Sequence, residues 1–126
     1  MMRFIAILLC ALPTTSWALE IIAPDAALDL FSDHVIDYDD GTRERFAPDG
    51  TVTQQYPDGA CIDGIVFAQD GGLCFTYEGS PDVAHCWWVE QDTDGLFVSS
   101  VTVNCRFEIT DIGKTPLTCE MDELIG

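Results

Sequence analysis

Turn signals built from acidic residues and glycine or proline cut this chain at near-regular intervals. They are Asp39-Asp40-Gly41, Pro48-Asp49-Gly50, Pro57-Asp58-Gly59, Asp70-Gly71-Gly72, Gly79-Ser80-Pro81-Asp82 and Asp92-Thr93-Asp94-Gly95. Asp-Gly between extended runs is a strong hairpin signal, because glycine takes the positive φ that such turns demand. The intervening runs are HVIDYD, TRERFA, TVTQQY, CIDGIVFAQ, LCFTYE, AHCWWVEQ, LFVSSVTV and RFEITDI. Rich in Val, Ile, Thr and aromatic residues, they have the length and composition of strands. About eight strands joined by short hairpins predict an all-β antiparallel meander, either an up-and-down barrel or a curled half-barrel. A short helix at Pro24–Phe31, with proline at its start, is expected before the first of them. A barrel of this size has no length to spare, so a side-chain-filled interior is expected rather than a roomy cavity.

The first eighteen residues read as a leader rather than as part of the fold. Arg3 precedes an apolar run from Phe4 to Leu12, and Ser16-Trp17-Ala18 has small residues at both ends, the form of a signal-peptidase site. The run is shorter than the roughly 20 apolar residues that span a bilayer. A lipid anchor on Cys10 is disfavoured, because Leu8-Leu9 puts a bulky residue just before the cysteine. Cleavage after Ala18 would leave 19–126 as one domain with no membrane span, exported to the periplasm or beyond.

Loss of the leader removes Arg3, so Arg43, Arg45, Arg106 and Lys114 stand against 22 acidic residues, one unit more negative than the −17 of the whole chain. Such charge repels nucleic acid and anionic membranes, which excludes both as partners and leaves a basic protein or a cation. The acids are scattered rather than clustered, as on a solvated surface.

The segment after the leader keeps five cysteines, Cys61, Cys74, Cys86, Cys105 and Cys119. In a small exported domain they imply disulfides, with one thiol left over. Opposed residues of an antiparallel hairpin have positions of constant sum. A loop centred on Ser80 makes that sum about 160, which sets Cys74 against Cys86 at a spacing suited to a cross-strand bridge. Zinc is disfavoured: there is no Cys-x-x-Cys, and alternation points His85 away from Cys86. Of the others, Cys61 with Cys119 would tie the C-terminal segment to the fourth strand, and Cys105 with Cys119 would close a local loop. The first is preferred, leaving Cys105 as the odd thiol.

No catalytic motif emerges. His34 and His85 are the only histidines, Gly-x-Ser-x-Gly and His-Glu-x-x-His are absent, and the abundant carboxylates single out no pair. No catalytic, cofactor-binding or metal residue is assigned, and no cofactor is expected. Glu90-Gln-Asp92-Thr-Asp94-Gly95 imitates the start of a calcium loop, but Val101 stands where the bidentate glutamate belongs. Glu44 is more telling. Alternation groups it with Thr42 and Phe46 and turns Arg43 and Arg45 the other way, so a carboxylate would face the interior, with Arg106 as a source of donors. Trp87, Trp88, Phe75 and Tyr77 concentrate aromatic surface on adjacent strands. The two tryptophans must point to opposite faces, and with Glu44 these residues form the candidate binding surface.

Gly41-Thr42-Arg43-Glu44-Arg45-Phe46 followed by Pro48-Asp49-Gly50, then Cys61-Ile62-Asp63-Gly64, Leu73-Cys74-Phe75-Thr76-Tyr77-Glu78, Cys86-Trp87 and Pro116-Leu117-Thr118-Cys119 form an ordered set. The set resembles small exported alphaproteobacterial proteins of unknown function that carry a disulfide-bearing β-meander. The resemblance implies a periplasmic location and the Cys74–Cys86 pairing. The family has no counterpart to Cys105, and it has a tryptophan after the glycine where this chain reads Gly64-Ile65-Val66-Phe67. No activity comes with it. The expected function is a non-catalytic interaction module with an acidic surface, inhibitor-like toward a basic hydrolase. The alternative is a lipocalin-like carrier or sensor of a small apolar ligand.

Overall fold

The computed structural model describes residues 19–119. The expected leader, residues 1–18, lies outside the described residues. Nine strands and one helix follow in order: β1 (Glu20–Ile22), α1 (Pro24–Phe31), β2 (His34–Tyr38), β3 (Arg43–Phe46), β4 (Thr51–Gln55), β5 (Cys61–Gln69), β6 (Gly72–Tyr77), β7 (Ser80–Asp92), β8 (Gly95–Ser100) and β9 (Arg106–Gly113). From β2 to β8 each strand pairs antiparallel with its successor, β8 pairs β9, and β9 returns to β2. The eight strands therefore close into an antiparallel barrel, and the half-barrel alternative falls away.

Local chemistry explains the hairpins. After β3 and β4 the chain reads Ala47-Pro48-Asp49-Gly50 and Tyr56-Pro57-Asp58-Gly59. In each, the glycine N–H donates back to the first carbonyl (Gly50 to Ala47, 3.2 Å; Gly59 to Tyr56, 2.9 Å). In each, the aspartate accepts the N–H two residues on, from Thr51 and Ala60, both at 3.0 Å. Proline presets φ, the aspartate caps the turn, and glycine at φ 93° and 97° takes the left-handed position. The helix is a single amphipathic piece. Pro24 opens it, and Ala27 and Phe31, one turn apart, are its buried residues.

Antiparallel order puts the β2–β3, β4–β5 and β6–β7 turns at one end of the barrel. At the other end lie α1, the β3–β4 and β5–β6 turns and the β7–β8 turn. At the helix end the core is dense: Phe31 meets Phe46 with ring centroids 5.1 Å apart, and Phe46 meets Phe75 edge-on at 5.9 Å. Toward the other end the interior opens into a cavity of about 370 Å³, against the expectation of a filled barrel. The reason lies in ring orientation. Phe75 and Tyr77 stack nearly parallel, 3° apart, and inward-facing Gly64 contributes no side chain. Rings laid along a wall leave the axis open, and eight strands enclose enough room for one small ligand.

Three details went beyond the sequence reading. β1 pairs with Val89–Gln91 of β7, continuing the edge that β6 leaves. The Ser80 region is strand rather than turn: Leu73↔Trp87, Cys74↔Cys86 and Phe75↔His85 keep the expected register, then a bulge shifts it so that Tyr77 faces Ser80. A second irregularity lies where β2 meets β9, between Asp37 and Tyr38.

Cys74–Cys86 and Cys61–Cys119 are both disulfides, with Cα atoms 4.0 and 5.5 Å apart. The fifth cysteine of the described residues, Cys105, is half-buried between β8 and β9, its carbonyl accepting the Ser100 N–H. The second bridge anchors the segment after β9. Arg43 donates to the Thr115 and Pro116 carbonyls, and Gln55 Nε2 donates to the Thr118 carbonyl at 2.6 Å, so this segment straps the outside of β3 and β4.

The bridges span 58 and 12 residues. Loop-closure entropy gives about 4 kcal/mol for the first and about 3 kcal/mol for the second. Replacing Cys61 and Cys119 by alanine is therefore expected to cost more stability in urea titration than replacing Cys74 and Cys86. Equal or reversed losses would show that the strap adds no constraint.

Candidate functional site

The cavity is built from alternate residues of the strands around it. Phe31, Leu73, Val89 and Val98 are its buried end, and Asp40, Tyr56 and Pro57 its exposed rim. Between them Glu44 on β3, Tyr38 on β2, Tyr77 on β6 and Gln54 on β4 bring polar atoms to an otherwise apolar wall. Glu44 is 3% exposed. Its Oε2 accepts a 2.6 Å hydrogen bond from the Tyr77 hydroxyl.

That bond depends on Gly64, whose Cα partner across the sheet is Tyr77. A Cβ at residue 64 would collide with the Thr76 carbonyl and lie 2.7 Å from Tyr77 Cδ1. Glycine lets the Tyr77 ring lie flat on β5, and that placement carries its hydroxyl to Glu44.

The electrostatics follow from burial. Desolvation raises the Glu44 carboxyl to about 7, although the Tyr77 hydrogen bond pulls the other way. Burial and then the neighbouring Glu44 push the Tyr77 phenol far up, so it remains a donor. Tyr38 is likewise raised, by burial first, then by Glu44 and Asp40. The residues lining the cavity include no lysine, arginine or histidine.

Of the residues proposed as a binding surface, Phe75, Tyr77, Trp87 and Glu44 come together on the cavity wall. They line the interior of the barrel rather than an outer surface. Trp88 belongs to the opposite face of β7 and is half-buried. The expected partner of Glu44 is different: Arg106 faces outward. Its Nε donates to Glu90 at 3.2 Å, its Nη2 to Asp92 at 3.2 Å, and its guanidinium sits 3.8 Å above the Phe97 ring. Phe107 and Ile109 face inward from β9, so alternation leaves Arg106 outside. Asp92, read as an imitation calcium ligand, caps its own turn by accepting the Asp94 N–H at 2.7 Å. His34 Nδ1 lies 2.8 Å from the Ser32 carbonyl oxygen, and His85 is exposed.

Sequence reasoning passed over Tyr38, Gln54 and Phe107 as site residues. Tyr38 had a signal, since it alternates with Ile36 in one strand. No protein-family model, curated protein or solved structure matches this chain.

Glu44 makes stability depend on pH. Its folded value of about 7 lies above the ordinary 4.5, so from pH 4.5 upward the unfolded chain releases a proton that the folded chain keeps. Stability is thus expected to fall by about 3 kcal/mol between about pH 4.5 and 7 and then level off. Urea titrations at pH 5 and pH 8 measure this difference, which Glu44→Gln should abolish. Tyr77→Phe should move the midpoint of the decline to higher pH, because it removes the bond that favours the carboxylate.

Proposed function

We propose that this chain is an exported, non-catalytic barrel that holds a small, mostly apolar molecule in its interior, as a carrier or sensor. The observation that carries this reading is the 370 Å³ cavity, with an exposed rim, apolar walls and one buried carboxyl–phenol pair. Binding sites for small molecules are typically concave and apolar with a few placed polar groups, in the volume range of 300 to 1,000 Å³. The apolar wall supplies affinity, and Glu44, Tyr77, Tyr38 and Gln54 supply orientation.

Two disulfides and the leader-like N-terminus support export, and the resemblance drawn from the sequence supports the periplasm as the destination. No helix among the described residues is long and apolar enough to cross a membrane. An interaction module holding a basic protein ranks second. Its support is the acidic charge, whereas four of the five residues offered as its contact surface line the cavity.

The test is titration with N-phenyl-1-naphthylamine, a neutral apolar fluorophore. Saturable enhancement is expected, with energy transfer from Trp87, which lines the cavity. Gln54→Trp, which fills the cavity from β4, should abolish it, as should the independent variant Thr42→Trp. Binding that survives in both folded variants would place the fluorophore elsewhere and overturn the reading.

A further inference from the structure

The cavity wall narrows the class of ligand, an inference that rests on the carrier reading. We infer that the barrel takes an organic cation: a protonated amine on an apolar body, with its ammonium at Glu44 and its body directed toward Phe31.

Charge is the first argument. Glu44 within the cavity and Asp40 at its rim are both acidic, and no basic side chain lines it. A carboxylate or phosphate ligand would find no counterion in the cavity, and above about pH 7, where Glu44 ionises, it would be buried beside like charge, a strongly unfavourable arrangement. A cation meets the reverse. The groups presented to Glu44 are Tyr77 from β6, Tyr38 from β2, Asp40 from the β2–β3 turn and Gln54 from β4, none of them a base.

Hydrogen bonding is the second. Tyr77 occupies Oε2 of Glu44, while Oε1 and the Tyr38 hydroxyl have no hydrogen-bond partner among the described residues. An ammonium has three donors and no acceptor, and suits two acceptors of this kind. Burial alone favours the neutral acid at Glu44; an ammonium beside it would restore the carboxylate and make a charge-assisted bond.

The wall itself is the third. Tyr38, Tyr56, Phe75, Tyr77, Trp87 and Phe107 all line the cavity. Aromatic faces attract cations through the negative charge of the ring face. The net charge of −17 adds a field that concentrates cations around the whole molecule.

Three ligands of one chain length separate the possibilities: decylammonium, decanol and decanoate, each below its micellar concentration. Calorimetric titration of the disulfide-bonded protein at pH 8 is expected to rank decylammonium about tenfold or more tighter than decanol, with decanoate weakest. Glu44→Gln should reduce decylammonium to the level of decanol and leave decanol unchanged. Lowering the pH to 5 should weaken decylammonium alone. These comparisons are made first in the unaltered protein, so they do not depend on the variant folding. Equal binding of decanol and decylammonium, or tightest binding of decanoate, overturns the cation inference while the carrier reading stands. Absence of binding by all three, together with failure of the naphthylamine titration, overturns both.

Discussion

Everything in this molecule follows from β9 returning to β2. Successive hairpins carry the sheet from β2 round to β9, whose other edge pairs with β2, so the sheet that begins at β2 finds its own far edge and closes. Closure removes the exposed ladder that an open sheet of this length would present to other chains. It also creates an inside. The core is a product of curvature: Ile36, Phe46, Val52, Leu73, Val89 and Ile109 come from strands far apart in sequence and are buried together only because the sheet turns on itself.

Outer-face contacts reinforce that closure where β7, β8 and β9 run side by side. Glu90 on β7 is 7% exposed, accepts a 2.7 Å hydrogen bond from Ser99 on β8, and pairs with Arg106 on β9. A carboxylate that deep needs such company. Inside the barrel Glu44 has a phenol and no base, and the contrast is instructive. Two buried glutamates, one on each face of the sheet, are handled by opposite means: outside, Glu90 is given a guanidinium and a hydroxyl as partners, and inside, desolvation lets Glu44 retain its proton near neutral pH.

Much of this architecture was legible because its signals are local. The Pro-Asp-Gly turns specify their own geometry, and hairpin arithmetic then sets Cys74 opposite Cys86. What escaped was non-local. Three-residue β1 carries no turn signal, and exists because β7 outruns β6 and offers an edge. The bulge before Tyr77 changes the register beyond the cysteines without disturbing them. The cavity was misjudged because alternation says which face a side chain occupies, not how far it reaches toward the axis. Tyr77 lying flat against Gly64 is a matter of packing between two strands. The assignment of Arg106 to Glu44 failed for a reason the sequence did contain, since its neighbour Phe107 claims the interior.

The strap from β9 to Cys119 changes how the barrel bears load. Cys61 stands at the head of β5, a strand flanked by β4 on one edge and β6 on the other. Tension applied beyond Cys119 therefore bypasses β9 and enters through sulfur at β5. It must then pull against two ladders at once instead of unzipping a terminal strand one hydrogen bond at a time. With the bridge intact, β5 to β9 form a covalent ring whose strands cannot be drawn out singly from that end. Mechanically the segment that follows β9 is moored in the middle of the sheet.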